Sequence, residues 1–340
     1  MSKKHRRKRR RGGKLRLWMS LAAVALVICA GVVTAQFLES RMRVEVENAG
    51  MQMTAHQTRE TTAQVFMNNR WYQKDNVETL LVMGVDNVDT LSGSSHGKTV
   101  QADFLVLFIR DKDTGKGTAI QINRDAMTDI TMLGVTGEVV GTQHAQIALA
   151  YNYGLDGNDH SRNTASAVSN LLYGMTVDHY LTVTMDAVPI ANDWAGGVEV
   201  EVLEDFSGLD ASLVKGEKIR LQGEQALTYV RTRRGLEDST NINRMKRQRQ
   251  YASNWVAEAR EKLNDTEAVA QLIMQMSDYH YSDCTADKLA EYAEFLSENA
   301  SMEVFELPGE SIKGETYMEF HVDDEALQQL VLKLFYSVVV

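Results

Sequence analysis

Two aspartates stand at the ends of apolar segments that have the pattern of buried strands. Asp86 directly follows TLLVMGV (79–85), and Asp103 directly precedes FLVLFI (104–109). If these strands are antiparallel neighbours, both carboxylates lie at one edge of the sheet, where open α/β sheets bind ligands. Close carboxylates repel each other unless a cation lies between them, and oxygen ligands suit Mg²⁺. The pair therefore predicts a Mg²⁺ site, whereas the alternative makes Asp86 a strand-end cap and Asp103 a turn residue.

A third segment delivers an arginine and another aspartate to the same edge. GTAIQIN (117–123) has the pattern of a strand, and the turn-forming residues DKDTGK (111–116) predict a hairpin between it and the strand before it. Arg124 and Asp125 follow this strand, so the hairpin returns them to the edge that carries Asp103. Two roles remain open for Asp125. It is either a base for the proton of an attacking hydroxyl group or a partner in a structural salt bridge.

A basic cluster extends from Arg231 to Arg249. This window contains seven Lys/Arg and two acidic residues, although the whole chain has a formal net charge of −10. Arg244, Arg247 and Gln248 are spaced to share one face of a helix near its N-terminus. A helix N-terminus that presents forked guanidinium groups is a good site for phosphate or pyrophosphate. The alternative is a solvated basic face, where most charged runs lie.

The elements that must position these groups mix strands with helices of about ten or more residues. This pattern predicts an α/β fold, an α-β-α sandwich around a mixed β-sheet. A composition of 44% hydrophobic and 24% charged residues excludes a collagen-like or wholly disordered chain. The spacing of the two cysteines, Cys29 and Cys284, gives neither a zinc motif nor a disulfide framework. Further predicted strands are 180–184, 198–202 and 302–307, and the predicted helices are 161–173, 186–194, 223–230, 243–263, 267–276, 286–298 and 325–335.

The N-terminus has the pattern of a membrane anchor. Residues 3–16 are strongly basic, and residues 17–37 form a stretch of 21 residues without a charge, long enough to span the hydrocarbon core. The positive-inside rule then leaves the N-terminus in the cytoplasm and the rest of a single-pass cell-membrane protein outside. One alternative is a cleavable signal peptide, whose apolar region is normally shorter. Another is nucleic-acid binding by the basic run, although contact with anionic lipid suits its position better.

The order of these segments resembles the LytR-CpsA-Psr family of bacterial cell-envelope proteins. The family implies an α-β-α sandwich with phosphotransferase activity. Its members move a glycopolymer, such as teichoic acid or capsular polysaccharide, from a polyprenyl-pyrophosphate lipid onto peptidoglycan. The matching segments, in family order, are LLVMGVDN (80–87), ADFLVLFI (102–109), INRDAM (122–127), ALAYNYG (148–154), VDHYLTVTMDA (177–187), GGVEVEV (196–202), LQGEQALTYVRTR (221–233) and NRMKRQRQ (243–250).

The resemblance assigns roles to individual residues and shows one departure. The family usually has arginine two residues before the second metal-binding aspartate, where this chain has Gln101. The site thereby loses one cation, which Lys98 or Arg234 could replace, and Gln101→Arg should restore it. A polyprenyl chain also needs an apolar tunnel, for which Val82, Leu105, Leu107 and Phe108 are candidates, as they are for plain core. The implied Mg²⁺ or Mn²⁺ ligands are Asp86 and Asp103, the implied catalytic residues are Arg124 and adjacent Asp125, and the implied pyrophosphate-binding residues are Arg231, Arg233, Arg244 and Gln248.

The predicted domain organisation follows from the anchor and the resemblance. The expected partners are a polyprenyl-pyrophosphate-linked glycopolymer, peptidoglycan and the membrane, with no nucleic acid. The alternative function, which Gln101 keeps open, is a non-catalytic, polyprenyl-phosphate-binding regulatory ectodomain. The predicted parts are a basic cytoplasmic tail (1–16), a transmembrane helix (17–37), a partly helical extracellular stalk (38–76), a catalytic domain (77–255) and a C-terminal extension packed on it (256–340).

Overall fold

The computed structural model describes most of the chain after the predicted stalk begins. The predicted cytoplasmic tail and transmembrane helix lie outside the described residues, as do Lys98 and Arg234. Among the residues that are described, no helix is both long and apolar enough to cross a membrane. The chain divides into two units between Phe66 and Met67, and apart from the first three residues of β1 the elements described below belong to the second unit. The described ranges are 64–86, 100–134, 136–154, 157–233, 235–236 and 241–339.

Strands and helices mix along the described chain, as the sequence pattern predicts. The strands are β1 (Gln64–Met67), β2 (Arg70–Lys74), β3 (Val77–Val85), β4 (Ala102–Asp111), β5 (Gly117–Gln121), β6 (Met127–Leu133), β7 (Val139–Gln146), β8 (His179–Thr184), β9 (Val198–Glu201), β10 (Lys218–Leu221), β11 (His280–Ser282), β12 (Glu303–Glu306), β13 (Gly309–Lys313), β14 (Met318–Val322) and β15 (Tyr336–Val338). The helices are α1 (Gly157–Leu171), α2 (Ala187–Ala195), α3 (Glu224–Arg231), α4 (Asn241–Leu263), α5 (Thr266–Gln275), α6 (Ala286–Glu298) and α7 (Asp324–Phe335), with a 3-10 helix over Ile147–Tyr153.

A six-stranded sheet in the order β11-β8-β3-β4-β5-β12 forms the centre of the second unit. β4 is antiparallel to both β3 and β5, whereas β3 is parallel to β8 and β5 is parallel to β12. The predicted mixed sheet and the predicted β4–β5 hairpin are therefore confirmed. In the β3–β4 register Val85 lies opposite Ala102, which places Asp86 and Asp103 at one edge of the sheet.

Helices cover both faces of this sheet because the side chains of each strand alternate in direction. Leu81 and Leu107 point to the face where they are fully buried with Val168 of α1 and Leu327 of α7. Leu80 points to the other face, where it packs with side chains of α6. Continuous apolar runs such as FLVLFI arise in this way, because both faces of the strand are covered.

The described end of the predicted stalk and the predicted C-terminal extension both contain elements that pair or pack with the rest of the second unit. The described end of the stalk is not helical, since residues 64–67 and 70–74 form β1 and β2. β2 pairs with β15, with Lys74 opposite Tyr336. At the other boundary, α4 continues through residue 255, and β12 and α7 complete the central sheet and core. Residues 67–76 and 256–339 belong to the same compact unit as residues 77–255.

Candidate functional site

Three of the predicted site residues meet in an ion-pair network at the β3–β4–β5 edge. Asp103, the second residue of β4, pairs through Oδ1 with Arg124, which lies just after β5. Its Oδ2 lies 3.3 Å from Nη1 of Arg244, in the first turn of α4. The side chains are largely buried, since that of Arg244 is 5% exposed. The β-hairpin places Arg124 beside Asp103, as the strand-end argument predicts, and the N-terminus of α4 brings Arg244 to the same carboxylate.

Every nitrogen of the Arg124 guanidinium group has an acceptor. Besides Asp103, Nη2 donates to Oε1 of Gln101 at 2.6 Å, and Nε donates to Oδ1 of Asp125 at 3.3 Å. Gln101, the departure from the family pattern, is therefore an acceptor that holds Arg124. An arginine at this position would lack that acceptor and would place a second cation beside Arg124. Gln101→Arg would therefore add a cation and also remove the hydrogen bond between Gln101 and Arg124, so it does more than restore a missing charge.

Asp125 occupies a structural position. Its Oδ1 accepts hydrogen bonds from Arg124 and, at 2.9 Å, from Gln146, while its backbone N–H donates to Oδ1 of Asn123 at 3.0 Å. Its carbonyl accepts from the N–H of Phe320 at 2.8 Å, which ties β14 to the site. Of the two roles left open for Asp125, these contacts favour the structural salt bridge over the general base.

Asn241 positions Arg244, a role that the sequence did not reveal. The Oδ1 of Asn241 accepts from Nη2 of Arg244 at 2.7 Å and from Nε at 3.1 Å. The amide nitrogen of Asn241 donates in turn to Oδ1 of Asn123 at 2.8 Å. The i, i+3 spacing of Asn241 and Arg244 was visible in the sequence. The contact of Asn241 with Asn123 was not, because Asn123 lies 118 residues earlier in the chain.

Arg231 and Asp86 form the exposed rim of the site. Nη2 of Arg231 lies 3.3 Å from Oδ1 of Asp86, and both side chains are about half exposed, at 49% and 53%. An exposed ion pair contributes at most about 1 kcal/mol to stability. Both groups can therefore exchange this contact for a ligand at little energetic cost.

The site carries an excess of positive charge. Burial and, after it, the charge of Arg233 lower the pKa of Arg244 to about 10, against the opposing charges of Asp125 and Asp86. Burial also lowers the pKa of Arg124, with Arg244 and Arg233 acting in the same direction and Asp125 opposing. Arginine side chains stay charged in proteins at neutral pH. We call Arg124, Arg231, Arg233 and Arg244 the four-arginine cluster; it outnumbers Asp86, Asp103 and Asp125 and favours a polyanionic ligand.

The two aspartates fit a magnesium ion. Mg²⁺ binds through one or two carboxylates, keeps several waters and takes its remaining ligands from substrate phosphates. Asp86 and Asp103 supply two such oxygens from adjacent strand ends. The Asp86–Arg231 and Asp103–Arg244 contacts, both at 3.3 Å, are long enough to be exchanged for a metal, whereas the other oxygen of Asp103 pairs closely with Arg124.

Two predicted members of the basic face point elsewhere. Arg247 is 1% exposed, pairs with Glu204 and donates through Nε to the Tyr229 carbonyl at 2.9 Å. It is a buried structural residue and not part of a solvent-facing site. Gln248 donates to the Val230 carbonyl at 3.3 Å and lines an apolar cavity. The structure thus separates Arg247 from the four-arginine cluster and places Gln248 in the cavity wall.

This cavity has a volume of about 330 Å³ and lies between the sheet and helices α4, α5 and α6. Val82 and Phe108, two of the four predicted tunnel residues, line it. Leu105 and Leu107 point to the opposite face of the sheet and are buried in the main core. The apolar sequence pattern alone does not show which of these residues face the cavity, because that depends on the strand register. The other lining side chains are mostly apolar and include Leu80, Phe104, Leu181, Val183, Met185, Tyr251, Ala252, Trp255, Leu272, Leu289, Tyr292 and Leu296.

Fold and site together define a mixed α/β protein with a cationic site at its strand ends and an apolar cavity behind the sheet. The chain belongs to the LytR_cpsA_psr family, whose model matches residues 40–335. The resemblance drawn from eight short segments is therefore confirmed over most of the chain.

Several proteins with similar sequences are named as teichoic acid transferases. It is 30% identical over 163 residues to TagV of Bacillus subtilis, a polyisoprenyl-teichoic acid–peptidoglycan teichoic acid transferase, covering 46% of this chain and 37% of that protein. It is 25% identical over 280 residues to TagU of Enterococcus faecalis, covering 81% of this chain and 83% of that protein. A TagU from Halalkalibacterium halodurans is 29% identical, and 57% of its length is covered. The chain thus spans less than two thirds of two of these three relatives.

Solved structures share the fold at low sequence identity. The crystal structure of B. subtilis TagV superposes with a TM-score of 0.58 at 20% identity, covering 77% of this chain and 97% of that one. A structure of TagT bound to LI-WTA superposes with a TM-score of 0.56 at 20% identity, covering 76% of this chain and 89% of that one. These similarities show a common mixed α/β fold.

Proposed function

We propose that the protein is a membrane-anchored phosphotransferase that moves a glycopolymer from polyprenyl pyrophosphate onto peptidoglycan. The observation that carries the proposal is the position of the four-arginine cluster beside an apolar cavity. Gly84, which precedes the Asp86 edge, and Gln248, one turn beyond Arg244 on α4, both line that cavity. A ligand with a pyrophosphate head and a hydrocarbon tail matches this combination. The teichoic acid transferase names of the relatives support the same substrate class.

In the proposed reaction, the peptidoglycan hydroxyl oxygen attacks the phosphorus atom next to the glycopolymer. The bond from that phosphorus to the bridging oxygen breaks, polyprenyl phosphate leaves, and the hydroxyl proton passes to water. The pyrophosphate linkage supplies the energy, so no ATP is required outside the cell. Phosphoryl transfer depends mainly on positioning and charge neutralisation, which arginines supply. Arg124 lies at the reacting phosphate, while Arg231, Arg233 and Arg244 hold the two phosphate groups.

Asp86 and Asp103 are the proposed Mg²⁺ ligands. A bound Mg²⁺ neutralises charge on the phosphate oxygens. Asp125 and Gln101 act by holding the Arg124 guanidinium group in a fixed direction. Asn241 does the same for Arg244. The proposal also includes the anchor at residues 17–37, which places this domain outside the cytoplasm in a single-pass cell-membrane protein.

Filling the cavity should distinguish long lipids from short ones. We expect Ala252→Trp on α4 to weaken binding of a long-chain polyprenyl pyrophosphate by about tenfold or more, because each buried CH₂ contributes about 0.8 kcal/mol. A pyrophosphate with a two-isoprene chain should bind as it does to the unaltered protein. Binding of both ligands is measured by calorimetry on the full chain in detergent. Ala270→Trp, at an exposed position of α5, is the matched control. Equal losses for both chain lengths, or no loss for either, would contradict the assignment of the cavity.

Removing the charge of Asp103 should remove the metal response. We expect Asp103→Asn to weaken Mg²⁺ binding by at least about tenfold, since a neutral amide replaces one of two carboxylate ligands. The readout is the rise in unfolding temperature that Mg²⁺ causes, together with direct calorimetry, both independent of turnover. Asp129→Asn, an exposed aspartate on β6 that pairs with His144, serves as control. If Asp103→Asn responds to Mg²⁺ like the control, the metal assignment is wrong.

The second candidate function is a regulatory ectodomain that binds polyprenyl phosphate without turnover. The contacts of Arg124 favour this function, because Asp103 and Gln101 already engage the guanidinium group that the transfer reaction would need at the reacting phosphate. A single-turnover assay with a polyprenyl-pyrophosphate-linked glycopolymer and peptidoglycan separates the two functions. Release of polyprenyl phosphate together with polymer attachment supports the transferase, whereas tight binding without release supports the regulator.

A further inference from the structure

A cluster of metal-binding side chains lies at the opposite edge of the sheet from the four-arginine cluster. His179 begins β8, and Asp283 and Cys284 directly follow β11, which pairs with β8. One ligand atom of each residue lies within 4.8 Å of the other two. β8 runs parallel to β3, with His179 opposite Leu80. Five residues of strand, or about 17 Å, therefore separate the cluster from the edge where β3 ends.

The distances within the cluster are close to those between ligands of one metal ion. Nδ1 of His179 lies 3.6 Å from Oδ2 of Asp283, and Sγ of Cys284 lies 3.8 Å from Oδ1 of Asp283. Ligand atoms of a tetrahedral zinc ion are separated by about 3.3–3.5 Å, given Zn–N and Zn–O distances near 2.0 Å and a Zn–S distance near 2.3 Å. The two Asp283 distances involve different carboxylate oxygens. Binding of one ion therefore requires side-chain rotations that bring the three ligand atoms, now within 4.8 Å of one another, to this spacing.

Hydrogen bonds to β8 hold the segment that carries Asp283 and Cys284. The N–H of Tyr180 donates to Oδ1 of Asp283 at 2.9 Å, and Oγ of Ser282 donates to the Tyr180 carbonyl at 2.6 Å. The N–H of Cys284 donates to Oγ of Ser282 at 3.1 Å. These contacts hold the Asp283 carboxylate and the backbone of Cys284 beside β8 before any ion binds, as supporting hydrogen bonds do in protein metal sites.

The surroundings favour a cation at this position. Nδ1 of His179 is buried and has no hydrogen-bond partner among the described residues, although a carboxylate oxygen faces it. The His179 ring packs edge-on against Tyr292, with the ring centroids 6.0 Å apart, which limits its rotation beside Asp283.

We propose that His179, Asp283 and Cys284 bind a Zn²⁺ ion, with a water molecule in the fourth position. A nitrogen, a sulfur and an oxygen ligand together suit Zn²⁺ and not Mg²⁺, which takes oxygen ligands. The site is distinct from the Asp86 and Asp103 edge and does not depend on the proposed transferase function.

The position of the site suggests what the ion does. Thr285, the residue after Cys284, caps the N-terminus of α6 by accepting from the N–H of Lys288 at 3.3 Å. Leu289 and Tyr292 of the same helix line the apolar cavity. A zinc ion shared by β8 and the residues before α6 therefore fixes one wall of the cavity to the sheet.

Cobalt substitution tests the proposal directly, because a thiolate bound to Co²⁺ gives a charge-transfer absorption in the near ultraviolet. We expect the full chain in detergent to bind one Co²⁺ with this absorption, and excess Zn²⁺ to remove it. Cys284→Ser should lose the absorption, and His179→Gln should bind Co²⁺ at least about tenfold more weakly. Cys29→Ser, at the only other cysteine, and His144→Gln, at an exposed histidine paired with Asp129, should behave like the unaltered protein.

A second measurement needs no substitution. Zn²⁺ should slow alkylation of Cys284 in the folded protein by at least about tenfold. Peptide mapping after alkylation measures the modification of Cys284 and of Cys29 separately. Unfolding temperatures in the presence of chelator show whether each variant is folded. Three results would each overturn the proposal: no thiolate absorption with Co²⁺, an absorption that persists in Cys284→Ser, or alkylation of Cys284 that Zn²⁺ leaves unchanged.

Discussion

Replacing Arg124 by alanine is expected to lower the turnover number of the proposed transfer reaction by on the order of 10³-fold, the range seen when an arginine that stabilises phosphoryl transfer is lost. Arg124 is the residue of the cluster that contacts Asp103, Gln101 and Asp125 together. Its direction is therefore fixed before substrate binds, and a fixed charge stabilises a transition state without a cost of reorganisation.

The conservative variant Arg124→Lys should also lose activity, by about ten- to a hundredfold. Lysine keeps the charge but offers a point charge in place of a planar fork, so it cannot satisfy Asp103 and Gln101 at once. Both effects should appear mainly in the turnover number, measured under single-turnover conditions with one lipid-pyrophosphate substrate. Arg220→Lys, at a partly exposed arginine that pairs with Glu258, is the control.

Gln101→Arg provides the complementary comparison. In the ligand-free protein it removes an acceptor from Arg124 and adds a like charge, so it should lower the unfolding temperature. Pyrophosphate should raise that temperature more in Gln101→Arg than in the unaltered protein.

The Arg124 prediction has a clear contradicting outcome. If Arg124→Lys turns over like Arg220→Lys, Arg124 is only a partner of Asp103 and the transferase proposal loses its catalytic residue.

The site edge could be predicted from sequence because it depends on local features. Apolar runs identify β3, β4 and β5, and the turn residues between β4 and β5 set the hairpin. Once those strands are antiparallel neighbours, Asp86, Asp103 and Arg124 must meet at one edge. No long-range information is required for this step, and the structure places all three residues there.

Contacts between distant segments were not predictable in the same way. β2 reads as a polar stalk because its partner, β15, lies at the other end of the chain. Asp283 and Cys284 join His179 only through the pairing of β11 with β8. The four candidate tunnel residues divide between the two faces of the sheet only once the register is known. In each case the deciding partner is more than 100 residues away or on another strand, where spacing carries no signal.

Arg247 on α4 is a further residue whose tertiary partners could not be predicted from sequence spacing. Helical spacing correctly groups it with Arg244 and Gln248, but spacing does not say what that face contacts. The structure buries Arg247 against Glu204, with its guanidinium group 5.1 Å from the Phe206 ring and its Nε donating to the Tyr229 carbonyl. Burial lowers the pKa of Arg247 to about 10, which leaves it charged at neutral pH.

We expect Arg247→Met to lower the free energy of unfolding by about 3–5 kcal/mol, because Glu204 would remain as a buried carboxylate without its partner. Urea denaturation of the full chain measures this loss. Arg260→Met is the control on the same helix, since Arg260 is exposed and its replacement should cost no more than about 0.5 kcal/mol.

The double variant Arg247→Met with Glu204→Leu separates a structural pair from a ligand-binding arginine. Replacing both members of a buried ion pair by apolar residues of similar size is often neutral or stabilising. We therefore expect the double variant to recover most of the stability lost in Arg247→Met and to bind lipid pyrophosphate as the unaltered protein does. Recovered stability with lost binding would instead return Arg247 to the pyrophosphate site. Such a result would mean that Arg244 and Arg247 both bind the pyrophosphate, as the helix face predicted from sequence implies, and that Arg247 exchanges its contact with Glu204 for the ligand.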